Sequence, residues 1–230
     1  MKSLSTWTRL APAAVCFLFL VGCGSGDGND PGVTASITAV SESSTQAAGD
    51  DVRPKSPPLD PIHPKVKIST NLGDIVVQLD AERAPITVKN FLFHATNRQY
   101  EGTIFHQVIE DYVALAGGYD VNMAEKSTHF AIRNEAYNQL KNKRGTIAMA
   151  RQPDVVDSST CQFFFNLADN AELDHKSRDS AEDFGYCVFG QVVNGLEVLE
   201  QISRTTVADQ GGWTSVPVKP IVVQSVVPVP

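Results

Sequence analysis

The sequence offers little that would hold it to a nucleic acid or carry it across a bilayer. No segment concentrates lysine and arginine, and 19 basic residues face 26 acidic ones for a net charge of -7. Phosphate backbones and anionic headgroups would be repelled, so no nucleic-acid partner is expected. The one long apolar run, Leu10 to Val21, falls short of the roughly 20 residues that span a hydrocarbon core. The five histidines, His63, His94, His106, His129 and His175, fall at no metal-ligand spacing, and neither a metal nor a cofactor is expected. From Gly24 to Pro64 there is no aromatic residue, only a Gly/Ser-rich stretch that becomes Pro-rich toward Pro64. Such a composition cannot bury enough surface to offset the entropy of ordering, and the segment is expected to be a disordered tether.

What is present begins with a leader. Lys2 and Arg9 precede the apolar run, and small residues follow it at once, which is the layout of a secretory signal. Leu20-Val21-Gly22-Cys23 resembles the lipobox of bacterial lipoproteins, with residues 1–22 removed and Cys23 left as the acylated first residue. Ordinary cleavage near Gly22 with a free N-terminus is the alternative. Several acyl chains on one cysteine hold a soluble domain firmly. Removing residues 1–22 takes away Lys2 and Arg9 and no acid, so 17 basic residues face 26 acidic ones and the charge falls to -9. The membrane contact must then be the lipid, through Cys23, with residues 23–64 as tether. Gly24 is not the aspartate that retains lipoproteins in the inner membrane, so the expected place is the outer membrane of a bacterial envelope, facing the periplasm.

Residues 65–230 are long enough for one domain with a substantial core, and no internal repeat is visible. Val66 to Thr70 and Ile75 to Leu79 read as strands around Asn71-Leu72-Gly73-Asp74, a hairpin signal. Pro85 sits where a helix tolerates its missing N–H, and Ile86, Val88, Phe91, Leu92 and Ala95 approximate helical spacing. Further strands are expected at 104–109, 112–116, 146–150, 162–167, 186–193 and 221–227, with a second helix at 196–202. Many short strands and two good helices predict a mainly β fold, a closed barrel.

Three segments, in order, resemble cyclophilins of the bacterial type: Thr103-Ile104-Phe105-His106-Gln107-Val108-Ile109, Arg144-Gly145-Thr146-Ile147-Ala148-Met149-Ala150-Arg151, and Gln162-Phe163-Phe164-Phe165-Asn166. Val88-Lys89-Asn90-Phe91 upstream and Gly185-Tyr186-Cys187-Val188-Phe189-Gly190 downstream complete the pattern, which covers residues 65–228. The resemblance implies a closed eight-stranded antiparallel barrel capped by two helices, and a peptidyl-prolyl cis-trans isomerase with its peptide groove on the outside of that barrel, acting as a monomer on X-Pro segments. Carried over by position, Phe105, Tyr112, Val113, Phe164 and Leu173 floor a proline pocket, Met149 and Ala150 lie alongside, and Gln162 holds the peptide backbone. Taken singly, each of these residues could equally be core.

The family uses an arginine to donate toward the proline nitrogen, and this chain has Gln107 there as the catalytic candidate. Leu115 stands where the family has a glutamine that orients the arginine, and Glu172 where an aromatic residue lines the groove. Two readings follow: an isomerase of exported proteins with reduced turnover, or a proline-peptide binding module in the cell envelope with little catalysis. Cys161 and Cys187 remain once the leader and Cys23 are assigned, and sequence leaves open a disulfide or two buried free thiols.

Overall fold

A computed structural model describes residues 60–230 apart from Ser127 and His129. The expected leader, the Cys23 anchor and the tether up to residue 59 lie outside the described residues. Residues 60–64, assigned to the tether by composition, are joined to the domain: the Ala81 N–H donates to the Ile62 carbonyl and the Leu79 N–H to the Pro64 carbonyl.

The strands are β1 (Lys65–Thr70), β2 (Gly73–Leu79), β3 (Thr103–Ile109), β4 (Val113–Asp120), β5 (Thr146–Met149), β6 (Phe163–Asn166), β7 (Val188–Asn194), β8 (Val207–Gln210), β9 (Trp213–Pro217) and β10 (Val223–Val229). The helices are α1 (Pro85–Thr96), the single turn α2 (Ala181–Phe184) and α3 (Leu196–Ser203). In β1 the apolar side chains of Val66 and Ile68 alternate with Lys65, Lys67 and Ser69, so one face is buried and the other meets solvent. The turn into β2 places Gly73 at φ +140°, and a Cβ there would meet Val198 at 2.8 Å, so only glycine fits.

Eight strands form one antiparallel sheet in the order β10-β1-β2-β7-β5-β6-β4-β3. The sheet curls but is not a closed barrel, which corrects the expected closure. Its end strands, β10 and β3, form no ladder; an isolated bridge, Ile104 with Val222, and two backbone bonds, Phe105 N to Ile221 O and Gly102 N to Val223 O, join the edges. Pro220, next to Ile221, has no N–H to extend that seam. The remaining strands, β8 and β9, make a separate hairpin in a segment where the sequence predicts no strand.

Inside the curl, Phe91 of α1 meets Tyr100, Phe189 and Phe163 at ring distances of 5.1, 5.2 and 5.5 Å. The first turn of α1 is capped from a distance, since the buried Glu135 carboxylate accepts from the Ile86 and Thr87 N–H groups and the Thr87 hydroxyl. Cys161 and Cys187 are free, buried thiols, which decides between the two readings. They flank β6 and β7, and β5 runs between those strands. Burial pushes the Cys161 thiol up to about 11 and the Cys187 thiol up to about 12, so both are protonated and unreactive.

Candidate active site

The outer face of the sheet carries a second, smaller apolar cluster, separate from the core. Val113, Ala148, Phe164 and Val188 form it, with Ile109, Tyr112, Leu115, Leu140, Ala150, Leu173 and Tyr186 packed around them. Strand register explains the alignment. Val188 opposes Ala148, Ala148 opposes Phe164, Phe164 opposes Leu115, and Leu115 opposes Gln107. These five residues therefore run as one row across β7, β5, β6, β4 and β3, with the polar Gln107 at its end.

Gln107 reaches that face because β3 is bulged. Phe105 opposes Ala116 and Gln107 opposes the very next residue, Leu115, which leaves His106 as the extra residue. Two-residue alternation from the core-facing Phe105 would otherwise turn Gln107 inward. The bulged His106 is buried against Tyr119 and Trp213, at ring distances of 4.8 and 6.0 Å. Burial drives its imidazole down to about 4, so it is neutral and structural near neutral pH.

The same alternation separates two of the expected pocket residues from the rest. Phe105 is fully buried and stacks on Phe165 at 6.4 Å, and Met149 pairs with Phe163, so both belong to the core and neither floors the outer pocket. Tyr112, Val113, Ala150, Phe164 and Leu173 do meet on the outer face. Gln162 lies beside them, its carbonyl accepting from the Ala150 N–H at 2.9 Å. Its side chain lies against Gly118, where any Cβ would come within 2.5 Å of the Gln162 amide carbon.

Tyr186 is the wall that sequence reasoning missed. It meets Phe164 edge-on at 5.6 Å, and the Arg151 guanidinium stacks over its ring at 4.6 Å. Arg151 is held in turn by the carbonyls of Gln152, Pro153, Ala181 and Gly185. An aromatic residue between Gly185 and an apolar strand was the signal available. Burial raises the Tyr112 phenol to about 12, aided by the nearby carboxylate of Glu172.

The turn that carries Leu173 is fixed by amides. Asn166 donates to Asn142 and Thr146, and Asn170 donates to Asn166 and to the Tyr112 carbonyl at 2.9 Å. Because these groups are buried and mutually satisfied, they hold the pocket rim at a fixed distance from β4. Among the described residues, His63, Asp80 and Glu82 bring potential metal ligands within 4.8 Å of one another. Asp80 is already paired with Arg83 at 3.0 Å, and none of the three belongs to the outer cluster.

An apolar slot with one polar donor at its edge can seat a small ring and address an atom at the ring's rim. The comparisons agree with that chemistry. The family model described as cyclophilin type peptidyl-prolyl cis-trans isomerase matches residues 65–227. The chain is similar to peptidyl-prolyl cis-trans isomerase A of Dickeya dadantii, 48% identical over 160 residues, covering 70% of this chain and 82% of the relative. It is also similar to peptidyl-prolyl cis-trans isomerase B of Escherichia coli, 42% identical over 161 residues, covering 70% and 97%. Among solved structures, a Cryptosporidium parvum cyclophilin type peptidyl-prolyl cis-trans isomerase, crystallised in the presence of the dipeptide Ala-Pro, shares the fold. Its TM-score is 0.58 at 24% identity, covering 71% of this chain and 97% of that one.

Proposed function

The chain belongs to the cyclophilin-type peptidyl-prolyl cis-trans isomerase family, and from that membership we propose that it isomerises X-Pro bonds of exported polypeptides more slowly than arginine-bearing relatives. The observation that carries the reading is the outer row from Val188 through Phe164 to Gln107, walled by Tyr112, Leu173 and Tyr186. The proline ring seats on Phe164, and Gln162 holds the neighbouring peptide group.

The reaction needs no covalent intermediate and no cofactor. Amide resonance sets a barrier of about 18 to 20 kcal/mol, and the site must stabilise the twisted state in which that resonance is broken. The proline nitrogen then gains a lone pair that a donor at the slot's edge can meet. An arginine supplies a charged, rigid donor; Gln107 supplies a neutral one, and Leu115 beside it has no hydrogen-bonding group. The difference between charged and neutral bonds is about 1 to 2 kcal/mol, or roughly 5- to 30-fold in rate. The same feature favours a second reading, a proline-peptide binding module with little turnover.

We further propose that the protein is a monomer held in a bacterial envelope by lipid on Cys23, facing the periplasm. Support for the anchor comes from the leader sequence, and the acidic balance of the chain leaves the lipid as the membrane contact. A protease-coupled assay on an Ala-Pro peptide tests the activity: acceleration over the uncatalysed rate is expected, and tight peptide binding with no acceleration selects the binding module. Mass spectrometry tests the anchor, with acyl mass on Cys23 that is lost in Cys23→Ser; a parent without acyl mass contradicts it.

A further inference from the structure

Gln107 does not stand free at the end of its row. Its amide nitrogen lies 3.0 Å from the Thr214 hydroxyl and 3.3 Å from the Thr214 carbonyl. A carbonyl only accepts, so the NH2 end of the amide must face Thr214, and this fixes which way round the side chain sits. The hydroxyl and the carbonyl of Thr214 both accept from that nitrogen, so Thr214 holds the donor end of the amide. The end that faces away from Thr214 is the oxygen, which cannot donate.

Thr214 is itself held in place. It lies in β9 between two anchors. On one side Trp213 packs on Tyr119 at 4.6 Å and on the bulged His106 at 6.0 Å. On the other, Ser215 takes a left-handed φ of +56° and its N–H donates to the Asp209 carboxylate at 3.0 Å. Val216 and Pro217 are buried beyond it. The hairpin therefore presents Thr214 to Gln107 from a braced position, and the bulge that turns Gln107 outward is braced by the same Trp213.

We propose that Thr214 is a positioning residue that sequesters the Gln107 amide, so that a donor for the proline nitrogen is available only when the Thr214 hydroxyl releases it. The inference rests on the isomerase reading for its effect on rate, but the hold on Gln107 is a separate property of the hairpin. Slow turnover then has two sources: the missing charge and a neutral donor already engaged elsewhere. Replacing the hydroxyl with a methyl removes the shorter of the two bonds and leaves only the 3.3 Å bond to the Thr214 carbonyl.

The experiment compares full-length parent, Thr214→Val, Thr214→Ser, Gln107→Leu and the double variant Gln107→Leu with Thr214→Val. Two readouts are taken: kcat and KM on an Ala-Pro peptide, and the water-exchange rate of the Gln107 side-chain amide protons by NMR. Thr214→Val is expected to raise kcat about 5-fold with KM nearly unchanged, since one neutral hydrogen bond no longer competes with the transition state. Thr214→Ser should match the parent, and the gain should vanish when Gln107 is leucine. The Gln107 amide protons should exchange faster in Thr214→Val than in parent or Thr214→Ser. The proposal is overturned by an unchanged kcat in Thr214→Val where the parent turns over, by a gain that survives without Gln107, or by identical amide exchange in parent and Thr214→Val. Faster exchange with no turnover in any variant supports the hold on Gln107 and removes the isomerase reading instead.

Discussion

Phe163, Phe164 and Phe165 are consecutive in sequence and nearly identical in burial, yet they belong to different parts of the molecule. Phe163 and Phe165 face the core, packed against each other at 5.9 Å, while Phe164 lies in the outer cluster with 4% of its surface exposed. The pair of faces shows that burial alone does not separate a stabilising residue from a recognising one. What separates them is the strand's two-residue alternation and the register that aligns neighbours across the sheet. On the inner face the aromatic rings close a space; on the outer face they leave a slot with a polar group at its end.

The comparison is most easily broken at the core. Phe105→Ala removes a fully buried ring that faces Phe165, and its expected cost is about 3 to 5 kcal/mol of stability. Urea melts check this, and a loss below about 1 kcal/mol would return Phe105 to the outer pocket where its sequence context had placed it.

His106, the bulged residue between the two faces, sharpens the comparison through pH. Its folded pKa of about 4 lies below the ordinary 6.5, because burial disfavours the charged ring. Between those values the unfolded chain binds a proton that the folded chain does not, so stability rises with pH across the window and is lost as pH falls from 6.5 to 4. The contribution is on the order of 3 kcal/mol when the window is fully crossed. Stability measured at pH 7 and pH 4.5 should fall further for the parent than for His106→Gln. Equal falls would mean that the imidazole is not the source.

On the outer face, Phe164→Ala should be felt mainly by the ligand. The slot loses the ring on which a proline would sit, and kcat/KM should drop roughly 30-fold, equivalent to about 2 kcal/mol of lost apolar contact. A variant that folds and retains parental kcat/KM would show that the proline binds elsewhere.

Much of this architecture is legible in the sequence. Alternation in β1 and β2, Pro85 at the head of α1, and the spacing of the three motifs place the eight sheet strands to within a few residues. The failures have physical causes. The family resemblance sets Phe105 in the pocket beside Gln107, but the bulge at His106, which nothing in Phe105-His106-Gln107 announces, puts the two on opposite faces. Met149, set alongside Ala150 by the family resemblance, turns to the core because neighbours on a strand face opposite ways. The β8–β9 hairpin pairs a fully exposed strand, Val-Ala-Asp-Gln, with Trp-Thr-Ser-Val-Pro, of which only Val216 and Pro217 are buried, so little apolar alternation marks it. Thr214 therefore had no signal at all: its meeting with Gln107 spans 107 positions of chain and exists only in the fold.

The central claim is that the outer row is a proline slot limited by its donor. The direct test measures kcat and peptide affinity for parent, Gln107→Arg, and Gln107→Arg with Leu115→Gln, each first shown to fold as the parent does. The single change should raise kcat, and the double change should raise it further, toward the roughly 5- to 30-fold expected for a charged donor held by its neighbour, with affinity nearly constant in all three. If neither variant is faster while all three bind an Ala-Pro peptide equally, the slot recognises proline without catalysing its isomerisation, and the claim fails.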